Sequence, residues 1–252
     1  MKKIIPFLLA LFLFSCASRK DVVYYQDIDS IAIQEKTNSY EIKIQADDLL
    51  KITVFSEDPE IALPFNLISP TGSDTSSGAQ SPLSYLVGAN GTIDFPTLGN
   101  LKVAGLTRSE MLKMLQDKIK VYIKNPIINL QITNFKFSVQ GEVNAPGTYP
   151  VASNRVTLIE ALTMAGDLTI FGKRNNILII RELDGLKSYN RVDITKSEFI
   201  KSPFYYLAQN DVIYVEPNKS KIGAAGVGPS TGLIFSVTSL LIGVITLIIS
   251  LK

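Results

Sequence analysis

The sequence predicts an α+β fold: two small strand-rich domains followed by a C-terminal transmembrane helix. Three observations lead there. Apolar and polar residues alternate over short runs bounded by Gly, Pro, Asn and Asp, the pattern of half-buried strands. Two Thr-x-x-Glu boxes, at Thr107 to Glu110 and Thr157 to Glu160, each open a run with helical spacing. The chain then closes with Gly232 to Leu251, a stretch without charge or proline.

Taken in order, residues 1–15 read as a signal peptide. Lys2-Lys3 form a basic start, and Ile4 to Phe14 form an apolar core too short to span a bilayer. Leu13-Phe14-Ser15-Cys16, followed by Ala17-Ser18, suits cleavage before a lipidated cysteine, although Phe14 is bulky for its place. Cys16 is the only cysteine in the chain and so has no disulfide partner. As a free thiol it would be a liability in an oxidising compartment; as a lipid anchor it would not. The absence of Asp after Cys16 favours the outer membrane. Residues 16–39 are polar and aperiodic, a tether.

The first domain is placed at 40–135. Tyr40 to Ile44 and Leu50 to Val54 alternate as two strands joined by Gln45-Ala46-Asp47-Asp48. Pro70 to Ser84 is a surface loop rich in Ser, Gly, Thr and Pro. Tyr85 to Val87 and Thr92 to Phe95 flank Asn90-Gly91, a hairpin signal. The box at Thr107 starts a helix with Met111, Leu112, Leu115, Ile119 and Ile123 inward, ended by Asn125-Pro126. Ile128 to Ile132 is a further strand.

The second domain, 136–217, echoes the first. A shift of 50 positions superposes Gly91 on Gly141, Pro96 on Pro146, Thr107 on Thr157 and Glu110 on Glu160. One supersecondary unit is used twice. Ile177 to Arg181 and Asp211 to Val215 supply later strands. Residues 218–231 form a linker, and 232–251 the transmembrane helix, about 30 Å long if helical. Within it Gly232, Ser236, Ser239, Gly243, Thr246 and Ser250 recur at spacings of 4, 3, 4, 3 and 4, one helical stripe. The stripe suits close helix packing, or the lumen side of a ring of helices. Equally, it is a plain tail anchor whose hydroxyls bond to the preceding turn.

A trace of enzymatic chemistry is missing. The chain has no histidine, which removes the commonest general base and metal ligand, so no metal or cofactor is expected. Gly88-Ala89-Asn90-Gly91 belongs to the hairpin, not to a phosphate cradle. Paired carboxylates can hydrolyse glycosides, but Asp47 and Asp48 are adjacent and read as turn formers. The formal net charge of +2 falls to zero without Lys2 and Lys3, and no basic run exceeds two residues, which excludes nucleic-acid binding. Trp, a common sugar-stacking surface, is absent; Tyr205-Tyr206 could substitute, though such a pair more often packs or lies at an interface.

These residues resemble the outer-membrane polysaccharide export lipoproteins. Tyr40-Glu41-Ile42 through Asp48-Leu49-Leu50-Lys51-Ile52-Thr53-Val54, with Gly91-Thr92-Ile93-Asp94-Phe95-Pro96-Thr97-Leu98-Gly99, is similar to that family's polysaccharide export domain. Gly141-Glu142-Val143-Asn144-Ala145-Pro146-Gly147-Thr148-Tyr149, Ala165-Gly166 and Asn210-Asp211-Val212-Ile213-Tyr214-Val215 resemble its soluble-ligand-binding β-grasp domain. Asn90 stands where Asp is usual and Asp167 where a second Gly is usual, and the tail is more apolar than the family's barrel-building helix. The resemblance implies structural roles for Asp48, Gly91, Pro96, Gly99, Gly141, Pro146, Gly147, Gly166 and Asp211. It also implies a homo-oligomeric ring without enzyme activity that passes capsular polysaccharide or exopolysaccharide, received from an inner-membrane copolymerase or tyrosine-kinase partner. Periplasmic domains, an outer-membrane lipid anchor and a stripe that lines or seals the membrane part complete that picture. The competing reading is a monomeric ligand-binding lipoprotein; a glycan hydrolase is disfavoured by the missing catalytic constellation.

Overall fold

The computed structural model describes residues 19–30, 40–67, 83–183, 185–226 and 229–250, with side chains on the last helix at 236–244 and 246–248. Two hydrophobic cores organise the chain, each beneath its own sheet.

In the first domain β1 (Leu49–Phe55) is the centre of a three-stranded antiparallel sheet. Its neighbours are β2 (Tyr85–Leu86) and β5 (Ile127–Ile132). The alternation of β1 sends Leu50, Ile52 and Val54 inward. They meet Phe65 behind the short α1 (Pro59–Ala62), and Met111, Leu115 and Ile119 from α2 (Arg108–Ile119). Full burial of each such side chain is worth about 1.5–3 kcal/mol. Thr107 and Glu110 close the capping box in both directions, which satisfies two of the orphan N–H groups at the helix start. A hairpin of β3 (Thr92–Phe95) and β4 (Gly99–Lys102) adds Ile93, Phe95 and Leu101 to the core.

Two local expectations differ. Tyr40 to Ile44 is not a strand; it makes one bridge, Lys43 to Thr107, and splits its side chains, with Ile42 in the second core and Ile44 in the first. Its alternation reflects burial on two different bodies, not a pleat. The Asn90-Gly91 turn forms, with Gly91 at φ 75°, but its flanks do not pair as a hairpin. Val87 N–H donates to Asp48 O, which commits that segment to β1, while β3 pairs with β4.

The second domain is a five-stranded sheet in the order β7–β6–β10–β8–β9. The strands are β6 (Lys136–Gly141), β7 (Gly147–Pro150), β8 (Gly172–Leu183), β9 (Leu186–Val192) and β10 (Val212–Pro217). Only β6 and β10 run parallel. A parallel pair needs a long crossover, here supplied by α3 (Leu158–Met164) and the β8–β9 hairpin. The Thr157–Glu160 capping box starts α3, which buries Leu158, Ala161 and Leu162.

The segment read as a tether is docked over part of its length. Tyr25 N–H donates to Ile194 O and Gln26 N–H to Thr195 O, while Asp27 accepts from Ser197 N–H at 2.6 Å. Tyr24 O–H donates to Asp167 at 2.7 Å, and the Tyr25 ring stacks on Phe199 at 5.5 Å. Both tyrosines pack against the second core, so residues 24–27 form a strap on the second domain.

At the other end, the segment after β10 begins as α4 (Lys219–Ala225), capped by Asn218, and continues as α5 (Pro229–Ser250). The expected transmembrane helix is corrected here: among the described residues no helix is long and apolar enough to cross a membrane. Between Pro229 and Ser250 the helix carries no charge but is interspersed with small and hydroxylated residues. Ser236, Thr238, Ser239, Gly243 and Thr246 dilute its apolar character further.

Gly141 tests how tightly the parallel pair is built. Its φ is 92°, and a Cβ there would sit 2.0 Å from Val215 O. Gly185, at φ 74° in the β8–β9 turn, has open space around it. Gly185→Ala should cost about 1–2 kcal/mol, the torsional penalty alone. Gly141→Ala should cost at least about twice that in urea denaturation; equal losses would mean that the close approach imposes no constraint.

Candidate functional site

The domains meet where β5 hands over to β6, and Asn134 sits at the centre. Its Oδ1 accepts from Leu49 N–H at 2.9 Å, and its Nδ2 donates to Asp47 O at 2.9 Å. Its carbonyl accepts from Gln209 Nε2 at 3.0 Å, and Gln209 Oε1 accepts from Lys136 N–H at 2.9 Å. One amide from the linker and one from the second domain thus hold two turns together, residues 45–48 and 208–211.

The turns are the same device. Asp48 Oδ2 accepts from Gln45 N–H, and Asp211 Oδ2 from Ala208 N–H, both at 2.8 Å. Asp47 and Asn210 take left-handed conformations at φ 66° and 62°. Both carboxylates are fully buried. They differ in compensation. Asp211 is gripped by Arg181 through Nε at 3.0 Å and Nη2 at 2.7 Å. Arg181 also donates to Tyr206 O and Pro203 O and lies over the Phe204 ring. Burial pushes the Asp211 carboxyl up, and Arg181 opposes it. Asp48 has no cation within salt-bridge reach among the described residues. Burial pushes it up to about 6, with Gln45 N–H and the Gln209 side chain pulling back and Asp47 adding to the rise. One of its oxygens has no hydrogen-bond partner among the described residues.

Beside the junction lies a cleft of about 190 Å³. Tyr40 and Glu41 border it ahead of β1, Arg108 and Ser109 at the start of α2, and Asn154 and Arg155 in the loop after β7. Tyr40 stacks on Tyr206 at 4.8 Å with the planes 10° apart, Tyr205 meets Tyr206 edge-on, and Arg155 lies 5.6 Å from the Tyr206 centroid. The Glu41 carboxylate accepts from Ser109 Oγ at 2.6 Å and Ser109 N–H at 3.0 Å, which holds it below the usual carboxylate range.

The residues singled out from sequence fall as follows. Cys16 lies outside the described residues. Gly91 (φ 75°), Gly99 (φ 73°), Gly141 (φ 92°) and Gly166 (φ 73°) all hold left-handed backbone at turns or strand ends. Pro96 opens the β3–β4 turn, and Pro146-Gly147 leads into β7. Asp48 and Asp211 each cap their own turn at the junction. On α5, Ser236, Ser239, Gly243 and Thr246 are exposed; Ser239 Oγ donates to Ser236 O and Thr246 Oγ1 to Ile242 O. The Gly232 and Ser250 side-chain positions lie outside the described ones. Asn134, Gln209, Arg181 and Arg155 were not singled out from the sequence. The only signal for the first two was their position beside the predicted domain boundary and the Asn-Asp turn.

Comparison with known proteins gives two adjoining matches. The family model "Polysaccharide biosynthesis/export protein" matches residues 36–133, and the "SLBB domain" model matches 135–215. They abut at Asn134. The EPS I polysaccharide export outer membrane protein EpsA of Ralstonia solanacearum is 28% identical over 218 residues, 82% of this chain and 56% of the relative. Its counterpart in Ralstonia nicotianae is 30% identical over 202 residues, 76% of this chain and 52% of the relative. The exopolysaccharide production protein ExoF of Rhizobium meliloti is 30% identical over 88 residues, 33% and 21% respectively. The chain spans about half the length of the EpsA proteins it matches.

Asp48 gives the junction a pH signature. Its carboxyl protonates near pH 6 in the folded protein, above the range of an unfolded Asp near 3.9. The folded state therefore binds the proton more tightly, and this group's contribution to stability is lost as pH rises from about 4 through 6. Asp48→Asn keeps an acceptor for Gln45 N–H and removes the charge. Relative to the native chain, the variant should gain stability, by at most about 3 kcal/mol, between pH 4 and 7.5 in urea midpoints. A pH-independent difference would mean that Asp48 carries no such shift. In the second domain, Arg181→Ala strands the buried Asp211 charge and should cost about 3–5 kcal/mol by the same measurement, against much less for Lys187→Ala in the exposed pair with Glu182.

Proposed function

Since the chain belongs to the polysaccharide biosynthesis/export family, we propose that it is an oligomeric outer-membrane lipoprotein that passes capsular polysaccharide or exopolysaccharide across the cell envelope. Its lipid is attached at Cys16 after removal of residues 1–15. Its two domains stand in the periplasm and form a ring of identical subunits around the exported chain. An inner-membrane copolymerase or tyrosine-kinase partner delivers the glycan. No bond is made or broken; selectivity resides in the width and lining of the passage.

The observation that carries this reading is the match of the first domain to a family named for polysaccharide export, at 36–133, followed after a single residue by the match of the second to the SLBB domain, at 135–215. The surface supports the oligomer. At the tip of the first domain Phe55, Leu63, Val121, Tyr122 and Ile127 are exposed, and on the edge strand β9 so are Leu186 and Tyr189. An unpaired strand edge and clustered exposed apolar side chains are surfaces that a neighbouring subunit covers.

Extraction in mild detergent followed by native mass spectrometry and electron microscopy tests the assembly. A closed ring of several subunits is expected, and loss of surface polysaccharide with continued synthesis is expected in a strain lacking the protein. A monomer at all concentrations would transfer the reading to a ligand-binding envelope lipoprotein. Repeating the measurement without residues 232–252 tells whether the last helix is needed for the assembly.

A further inference from the structure

We propose that the cleft walled by Tyr40, Glu41, Arg108, Ser109, Asn154 and Arg155 is a binding subsite for one carboxylate-bearing sugar unit of the exported glycan. This rests on the polysaccharide-export reading above and adds to it a specific point of contact and a charge preference.

Size comes first. At about 190 Å³ the cleft lies below the range of roughly 300–1,000 Å³ typical of drug-sized ligands, so it takes one small unit. It is also half open, so neighbouring units of a chain can leave on the solvent side.

Chemistry comes second. Arg108 and Arg155 carry ten N–H donors between them by type, and most of these are uncommitted. Among the described residues the Arg108 side chain donates only through its Nε, to Leu130 O at 2.8 Å, which fixes the stem, and its charge also acts on Glu41. The Arg155 guanidinium is steadied by its contact with the Tyr206 ring and makes no hydrogen bond or ion pair among the described residues; only the backbone carbonyl of Arg155 accepts one, from Ser153 Oγ. Two guanidinium groups held by other means, with their terminal nitrogens left over, are pre-organised for a planar carboxylate. The one acid in the wall, Glu41, is already engaged by both donors of Ser109. It keeps acceptor capacity for sugar hydroxyls, and the wall as a whole stays one positive charge in excess.

The apolar component is Tyr40, with Ile42, Ile132 and Phe135 also lining the cleft. One face of the Tyr40 ring is braced on Tyr206 at 4.8 Å, so the ring is held rigidly at the cleft. An aromatic surface beside hydroxyl and amide groups of Ser109 and Asn154 suits a pyranose, which has apolar C–H patches between its hydroxyls. The wall draws on both domains, with Tyr40, Glu41, Arg108 and Ser109 from one side of the junction and Asn154 and Arg155 from the other. A bound unit would therefore touch both domains at once.

The test is isothermal titration of the full-length protein in detergent with trigalacturonate and with a hexamer of alternating glucuronate and N-acetylglucosamine, each beside its carboxyl-reduced form. At least one acidic oligomer should bind with a millimolar or tighter Kd, about tenfold or more tighter than its reduced form. Arg155→Ala should lower that affinity about tenfold, and Tyr40→Leu should do the same for acidic and reduced forms alike. Arg155 is exposed, so its variant keeps the fold and makes a clean comparison. No binding of either acid, equal binding of the reduced forms, or binding unchanged by Arg155→Ala would each overturn the subsite. Particle mass separates the two readings: rings that ignore uronates sink the subsite alone, and a monomer that binds them sinks the ring alone.

Discussion

Everything in this molecule is arranged around the amide of Asn134. Two separate cores and two separate sheets would by themselves be beads on a string. The side chain of Asn134 satisfies a donor and an acceptor of the first domain, while its backbone carbonyl takes a donor from Gln209 of the second. Buried or half-buried polar groups must find partners or carry a penalty of about 1–3 kcal/mol each. Here each domain completes the other's hydrogen bonding. The junction is consequently a specific joint, and the cleft beside it inherits a defined shape.

The two turns at that joint show how one local solution can be used with opposite electrostatics. Each buries an Asp that caps its own turn, next to a left-handed Asp or Asn. The second domain neutralises its Asp with Arg181, which also ties down the loop of Pro203 to Tyr206. The first has only neutral partners for Asp48. Breaking a compensated buried pair and tolerating an uncompensated buried acid are different physical situations. The second turn acts as a rigid anchor for its loop, whereas the first holds a charge that its surroundings disfavour at neutral pH.

Much of this was legible in the sequence, and what failed did so for identifiable reasons. Capping boxes, positive-φ glycines and the alternation of β1 are local, and Thr107, Thr157, Gly91 and Gly141 stood where their chemistry required. Alternation at Tyr40 to Ile44 misled because Ile42 and Ile44 are buried in different cores; periodicity reports burial, not pairing. The Asn90-Gly91 signal gave the turn but not the partners, which Val87 settles through Asp48. An uncharged C-terminal run suggested a span, yet its hydroxyls and glycine leave no described helix apolar enough. Asn134, Gln209 and Arg155 could not be found from spacing, because their partners lie tens of residues away and polar side chains carry no period.

The strap at Tyr24 to Asp27 makes the second domain discontinuous along the chain. Its first piece is synthesised long before its seat: Asp27 and Ser197 are 170 positions apart, and Tyr24 and Asp167 are 143 apart. Lengthening a loop adds little to the entropy of closing it, so the cost falls on folding order, with contacts of such separation forming late. Until then the backbone at Ile194 and Thr195 and the ring of Phe199 remain uncovered. Nothing in the hydrogen bonds of that seat distinguishes the chain's own strap from one supplied by an adjacent copy. Were two copies to mature side by side, they would possess the ingredients for exchanging arms, and an assembly closed in that way would be interlocked rather than merely stacked.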